Sequence, residues 1–495
     1  MPQLVLHGHF YQPPREDPWT GAVPLQPSAA PYHDWNERIT AECYAPNTVV
    51  GVATDDRDFV VNLFDHLSFN VGPTLLSWME LHHKEVYDRI LAADRRGGRA
   101  IAQAYGHAIL PLCNERDLRT QVRWGMVDFR HRFGRSPAGM WLPETAVSDA
   151  VLSVLAEEGI RFTILAPGQI AAVRPIGAPD SAWVQHGIAA HEGLGPVDAV
   201  AAEAEPVPLD ITRALRWQHP AAPELGVDLV VYDGALAHAL AFAAPSAEDI
   251  VAAALGHGGG AGGLVAAATD GETFGHHHKG AEHEVARALT VVAASRGVET
   301  PRLVDLLDAQ PPTHEADVRV SAWSCAHGVG RWLTDCGCRT GGDPGWNQAW
   351  RAPLRDALDL VRDWGSEVFE RVGGVHLHDP WAARDAYLAV LLGARSWGDF
   401  AAEHVPGDQH LAGLLLDAQR NALLMYTSCG WFFNDLAGIE TVQVLRYAAR
   451  AVDLYQQAGE TPPLEAFLDT LAKAASNDPE VGDGRVLWFD EVLPR

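Results

Sequence analysis

Up to about residue 310 this chain alternates short apolar runs, loops and helical patterns at the period of βα units. That alternation constrains the fold most, because parallel strands need crossovers long enough to hold a helix. The spacing predicts strands over 4–10, 67–71, 100–105, 140–142, 161–166, 227–232 and 264–268. Helices are predicted over 73–81, 85–93, 116–133, 147–158, 247–256 and 280–295. The expected class is α/β, a parallel barrel whose active site lies in the loops after the strands. Beyond about residue 345 long helical segments take over, roughly 348–371, 380–394, 407–425, 437–457 and 464–475. The chain of 495 residues therefore divides into a catalytic barrel over 1–310 and a mainly helical domain over 311–495 that contributes to the cleft. Residues 11–55, rich in Pro, Tyr and Trp, are predicted to form one long loop. Residues 167–226, with an Ala/Glu tract at 199–205, read as an insertion over the barrel mouth.

Two strand ends carry acid. In Gly139-Met140-Trp141-Leu142-Pro143-Glu144-Thr145-Ala146 an apolar run stops at a proline and presents Glu144. In Ala266-Ala267-Ala268-Thr269-Asp270-Gly271-Glu272-Thr273-Phe274-Gly275 a second run presents Asp270 and Glu272. A helix starts soon after Glu144, so that residue could instead be an N-terminal cap. If both motifs lie on the catalytic face of one barrel, they supply the two carboxylates that glycoside hydrolysis requires. One attacks the anomeric carbon and the other protonates the departing oxygen, with carboxyl groups roughly 5–6 Å apart when configuration is retained. His7 and His9, two apart on a strand, face the same side. With His107 and the run His276-His277-His278, they can hydrogen-bond sugar hydroxyls without full charge. Tyr11, Trp141, Phe274, Trp323 and Trp332 offer faces for pyranose rings. A metal-dependent polysaccharide deacetylase is the rival enzyme, yet no HExxH-type spacing is present and no cofactor is expected. A glucan-binding protein on an inactive barrel is the non-enzymatic alternative.

Composition narrows the partners. Against 37 basic residues stand 64 acidic ones, a net charge of −27 that repels nucleic acid and anionic lipid. No apolar run reaches the roughly 20 residues a bilayer span needs, and no leader-like segment precedes the first strand. Six cysteines in this length do not make a secreted disulfide framework, so a cytoplasmic protein acting on an oligo- or polysaccharide is expected.

With these motifs the chain resembles glycoside hydrolase family 57, an α-glucan-active group with an incomplete (β/α)7-type barrel and a helical bundle. His7-Gly8-His9-Phe10-Tyr11-Gln12-Pro13 resembles that family's first motif, with two residues inserted before Gln12. Gly106-His107 falls where the second lies. Trp141-Leu142-Pro143-Glu144 resembles the third, whose Glu is the nucleophile, and Asp270-Gly271-Glu272-Thr273-Phe274-Gly275 the fourth, whose first Asp is the acid/base. The resemblance implies a retaining hydrolase or glucanotransferase with Glu144 and Asp270 as catalysts. His7, His9, Gln12, His107, Trp141, Glu272, Phe274 and His276 would then contact substrate.

Residues 321–350 resemble the core of a domain of unknown function attached to some family members. They hold Trp323, Cys325, His327, Arg331, Trp332, Cys336 and Cys338. Cys-x-His followed by Cys-x-Cys could bind zinc, although the Cys-x-Cys spacing needs a strained turn to aim both thiolates together. Buried cysteines acting as small apolar residues are a second option. A loop lining the glucan groove with Trp323, Arg331 and Trp332 is preferred. The aromatic stretch 429–435 is either an inner wall of the same cleft or a domain interface.

Overall fold

The computed structural model describes residues 1–54, 57–186, 209–257 and 263–493. Strand β1 (Gln3–Phe10) is buried at all eight positions, as a strand covered on both faces must be. It lies between β12 (Leu264–Asp270) and β4 (Ser68–Val71), parallel to both. A parallel bridge from Phe69 to Ala100 continues the wall to β5 (Ala102–Gln103), which pairs in parallel with β6 (Met140–Trp141). A bridge from Gly139 to Phe162 leads on to β7 (Phe162–Leu165), which pairs with β11 (Gly226–Val231). These seven parallel strands form the barrel predicted from the sequence. It is incomplete because β11 and β12 share no ladder among the described residues, only a hydrogen bond from the Asp233 N–H to the Ala266 carbonyl (2.7 Å).

Four further strands, β8 (Ile170–Pro175), β9 (Val184–Gln185), β10 (Leu215–Gln218) and β13 (His314–Val318), extend the sheet sideways from β11. The expected insertion at 167–226 is thus, where described, largely an extension of the sheet. The tract at 199–205 lies outside the described residues. The loop predicted for 11–55 is also more ordered. It contains the helix Trp35–Ile39, capped by the Asp34 carboxylate on the Glu37 N–H (3.0 Å), and half of a hairpin, β2 (Val50–Ala53) with β3 (Asp58–Val61).

Two units emerge, and they interleave along the chain rather than dividing once at residue 310. The first comprises 1–12, 25–103 and 132–323; the second comprises 13–24, 104–131 and 324–495. Val5, Trp141, Phe162, Ile164, Val230, Ala266 and Leu306 belong to one buried cluster of the first unit. The second unit is helical, and its helices Arg351–His376, Pro380–Leu391, Gln409–Leu424, Ile439–Gln457 and Leu464–Leu471 match the predicted segments closely. Asp379 and Asp408 cap two of them. Tyr455 ties three together, donating to the Gly365 carbonyl (2.9 Å) and accepting from Gln419 (2.8 Å). No helix among the described residues is long and apolar enough to cross a membrane.

Candidate active site

Glu144 does not cap the helix that follows it. That task falls to Ser148, whose hydroxyl accepts from the Val151 N–H (3.3 Å) at the start of Asp149–Glu157. Glu144 and Thr145 instead both adopt left-handed backbone, with φ of 58° and 50°. For residues other than glycine this costs on the order of 1–3 kcal/mol each and persists only where neighbours enforce it. The neighbours are residues 321–323. Ser321 and Val147 exchange backbone hydrogen bonds, and the Trp323 N–H is shared by the Glu144 carbonyl (3.0 Å) and the Thr145 hydroxyl (3.1 Å). Gln169 adds a bond to the Thr145 carbonyl (2.7 Å). The Trp323 indole N–H then donates to Glu144 Oε2 (3.0 Å), which aims the carboxylate.

Asp270 ends β12 directly beside His9, its partner in the parallel register with β1. It stays accessible to solvent although protein surrounds it. Burial, then the charge of Glu272, then that of Glu144 push its carboxyl well above the usual carboxylate range. The charge of Glu144 is thus among those felt at Asp270, and both residues follow parallel strands of the barrel. Gly271 follows because the Phe10 ring packs against it; a Cβ there would stand 2.2 Å from that ring.

Glu272 is not placed to meet a ligand, contrary to the reading from sequence. It is only 6% exposed, and its Oε1 already accepts from the Tyr44 hydroxyl (2.5 Å) and the Tyr11 N–H (3.0 Å). Burial holds its carboxyl up at about 7, against the opposing pull of the Tyr44 hydrogen bond. Gln12 reaches the same Tyr44 hydroxyl. Phe274 is also buried, with Asn47 on its carbonyl (2.7 Å), and is a packing residue rather than a sugar platform. His276 binds Glu42 (2.5 Å) and meets the edge of Trp35.

His7 and His9 do share one side, as predicted, and both stack on Trp141 at 4.9 Å. Asn70 bridges them, accepting at its oxygen from His7 Nε2 (3.0 Å) and donating to His9 Nδ1 (2.9 Å) and Gln103 (2.7 Å). Ser68 meets the other nitrogen of His7 (2.9 Å). Burial pushes both imidazoles down to about 3, so they are neutral at physiological pH. Trp323 stands edge-on to Trp141 (5.0 Å) and to Tyr232 (6.5 Å). Burial, reinforced by Asp270, raises the Tyr232 hydroxyl above its ordinary value. Tyr232 closes a predicted strand end and could have been found by the argument that singled out Glu144. Tyr44 and Asn70 carried no such signal.

The remaining candidates belong to the helical unit and are engaged there. His107 meets the Ser428 hydroxyl through Nδ1 (2.6 Å). Trp332 is fully buried and donates to the Ser428 carbonyl (3.1 Å). Arg331 bonds the Phe432 carbonyl (3.2 Å) and lies over that ring at 4.2 Å. Arg331 and Trp332 are thus internal supports, not the groove lining expected for them.

Residues 68–317 match the glycosyl hydrolase family 57 domain, and residues 346–495 match a domain of unknown function, DUF3536. Alpha-amylase 1 of Dictyoglomus thermophilum is 27% identical over 92 residues, 18% of this chain and 13% of that protein's length. An exo-type maltose-forming amylase from Pyrococcus sp. ST04 is similar in structure, with a TM-score of 0.71 at 14% identity, covering 95% of this chain and 83% of the other. A family 57 branching enzyme from Thermococcus kodakaraensis gives 0.53 at 16% identity, covering 99% and 94%. At such identities these two solved structures speak for the fold.

Proposed function

The chain belongs to glycosyl hydrolase family 57, and from that premise we propose that it cleaves or transfers α-glucans with retention of configuration. One observation carries the reading: Glu144 and Asp270 follow two parallel strands of one barrel, at the end where such strands present catalytic groups. Glu144 attacks the anomeric carbon while Asp270 gives its proton to the departing glycosidic oxygen, so the old C–O bond breaks as a glycosyl ester forms. A second acceptor then attacks that ester, Asp270 takes its proton, and Glu144 is released as carboxylate. Water as acceptor makes a hydrolase; a sugar hydroxyl makes a glucanotransferase.

The surroundings fit these roles. The upward shift of the Asp270 carboxyl favours the protonated form that the first step uses. Esterification of Glu144 removes one of the charges that raise it, which favours its second role as base. His7 and His9 bring no charge to the cleft, and Trp323 gives it an apolar face backed by Trp141, which is fully buried and so packs the core rather than meeting the sugar expected from the sequence. α-Glucans are the class for which the similar proteins are named, and an acidic chain suits a neutral polymer. Free cysteines with no disulfide among the described residues accord with a cytoplasmic setting.

The test is product analysis on a panel of α-glucans, with the anomeric form of the first product followed by NMR and Glu144→Gln run alongside. Retained configuration and an inactive variant are expected. Inverted products, or a variant with near-normal turnover, would sink the mechanism.

A further inference from the structure

The geometry points to a structural zinc site in the helical unit, held by Cys325, His327, Cys336 and Cys338. One ligand atom from each of the four lies within 4.8 Å of every other. Cys325 Sγ and Cys336 Sγ are 4.0 Å apart, and Cys338 Sγ is 3.5 Å from His327 Nδ1. Two sulfurs on one tetrahedral zinc stand about 3.8 Å apart, and a sulfur and a nitrogen about 3.6 Å, given metal–ligand lengths of about 2.3 and 2.0–2.1 Å. The side chains therefore already outline a tetrahedral shell. A disulfide does not explain them, since bonded sulfurs lie at about 2.05 Å and all six cysteines are free.

The objection raised by the Cys-x-Cys spacing is met by the residue between. Gly337 has φ +80°, a left-handed turn that glycine enters without the Cβ clash, so both thiols can aim at one point. Its added Cβ would meet nothing within 4 Å, so what the position requires is backbone handedness, not space.

A second observation is independent of ligand spacing. Arg351 is fully buried and Arg331 is 5% exposed, yet neither pairs with a carboxylate among the described residues. Their guanidiniums bond backbone carbonyls: Arg331 that of Phe432, Arg351 those of Cys338 (3.0 Å) and Phe433 (3.2 Å). Buried charge is costly without compensation. Three thiolates, a neutral imidazole and Zn²⁺ sum to −1, which these cations offset. The Arg331 N–H also donates to Cys325 Sγ (3.3 Å), the outer-shell hydrogen bond a metal-bound thiolate accepts. Four protein ligands leave no open position, so the site is structural rather than catalytic.

The test uses the full chain carrying no polyhistidine tag, purified under mild reduction and assayed for metals by mass spectrometry. About one zinc per chain is expected, falling severalfold or more in Cys336→Ser and in His327→Ala but not in the control Cys113→Ser. Wild-type protein exchanged with cobalt supplies a second measurement that does not depend on a ligand variant folding. Thiolate-to-cobalt charge transfer and strong tetrahedral d–d bands are expected. Wild type that holds no zinc after growth in zinc-supplemented medium would overturn the proposal. So would iron in place of zinc, a Cys325–Cys336 disulfide in the intact mass, or cobalt bands unchanged in Cys336→Ser.

Discussion

The carboxylates proposed as catalytic and the Cys325–Cys338 cluster solve the same problem, bringing reactive side chains together, by opposite means. Glu144 and Asp270 come from distant parts of the chain, and parallel strands deliver both to one face of the barrel. The four metal-binding candidates come from fourteen consecutive residues with no strand and only one short helical turn, Gly330–Trp332. They meet because a glycine reverses the backbone locally. The barrel can hold a residue under strain, as it does Glu144, because a neighbouring segment clamps it. The loop avoids strain with glycine and leaves the final fastening to a ligand.

The largest effect should come from Glu144→Gln, which keeps the Trp323 hydrogen bond but removes the nucleophile. A loss on the order of 10⁴-fold or more in kcat is expected with the melting temperature little changed. If turnover survived, the strand-end argument would fail and the barrel would lose its side of the comparison.

Asp270→Ala should cost about 10²- to 10⁴-fold on natural glucans and far less on aryl glycosides, whose leaving groups need no proton. Added azide should restore part of the turnover by attacking the glycosyl ester without a base. Equal loss on both substrates, with no rescue, would move the acid/base role elsewhere.

Glu272→Gln separates Asp270 from the neighbouring acid. The folded protein holds the Glu272 proton more tightly than the unfolded chain, with a value near 7 against an ordinary 4.5. This contribution is complete below 4.5 and lost as pH rises through 7. The variant should therefore gain on wild type over that window, by on the order of 3 kcal/mol above pH 7. Loss of the Glu272 charge should also move the alkaline limb of the kcat/KM profile to lower pH, because that charge helps raise Asp270. Melting curves at pH 5 and pH 8, with a pH–rate profile, check both. An unmoved limb would show the two carboxylates to be uncoupled.

Trp323→Phe keeps a ring against Trp141 and removes only the N–H on Glu144. A hydrogen bond to a charged group is worth about 1.5–3 kcal/mol, so kcat should fall about 10- to 100-fold with a smaller change in KM. A pure KM effect would make Trp323 a sugar platform and not the residue that positions the nucleophile.

The smallest change tests the other region. Gly337→Val should cost about 1–2 kcal/mol of backbone strain and weaken metal retention, while Gly337→Asn, which tolerates left-handed backbone, should retain it. Equal retention in both would mean that handedness at this position does not matter.

By itself the sequence determined the alternation of strands and helices, the five long helices after residue 345, and the acidic ends of β6 and β12. Hydrophobic period and proline or glycine punctuation act over a few residues, so a linear reading captures them. The shared face of His7 and His9 was legible for the same reason. Tertiary structure alone decided what each side chain meets. Glu272 and Asp270 are two residues apart, yet Tyr44 and the Tyr11 N–H take up one and the other stays accessible. Trp332 and Trp323 are both loop tryptophans, but one is interior and the other reaches Glu144. The cysteines were visible as a pattern, while the left-handed turn at Gly337 and the two buried arginines beside them were not. The contacts of Glu272 and Trp323 join residues far apart in sequence, and no local period encodes a partner that the chain reaches only by folding.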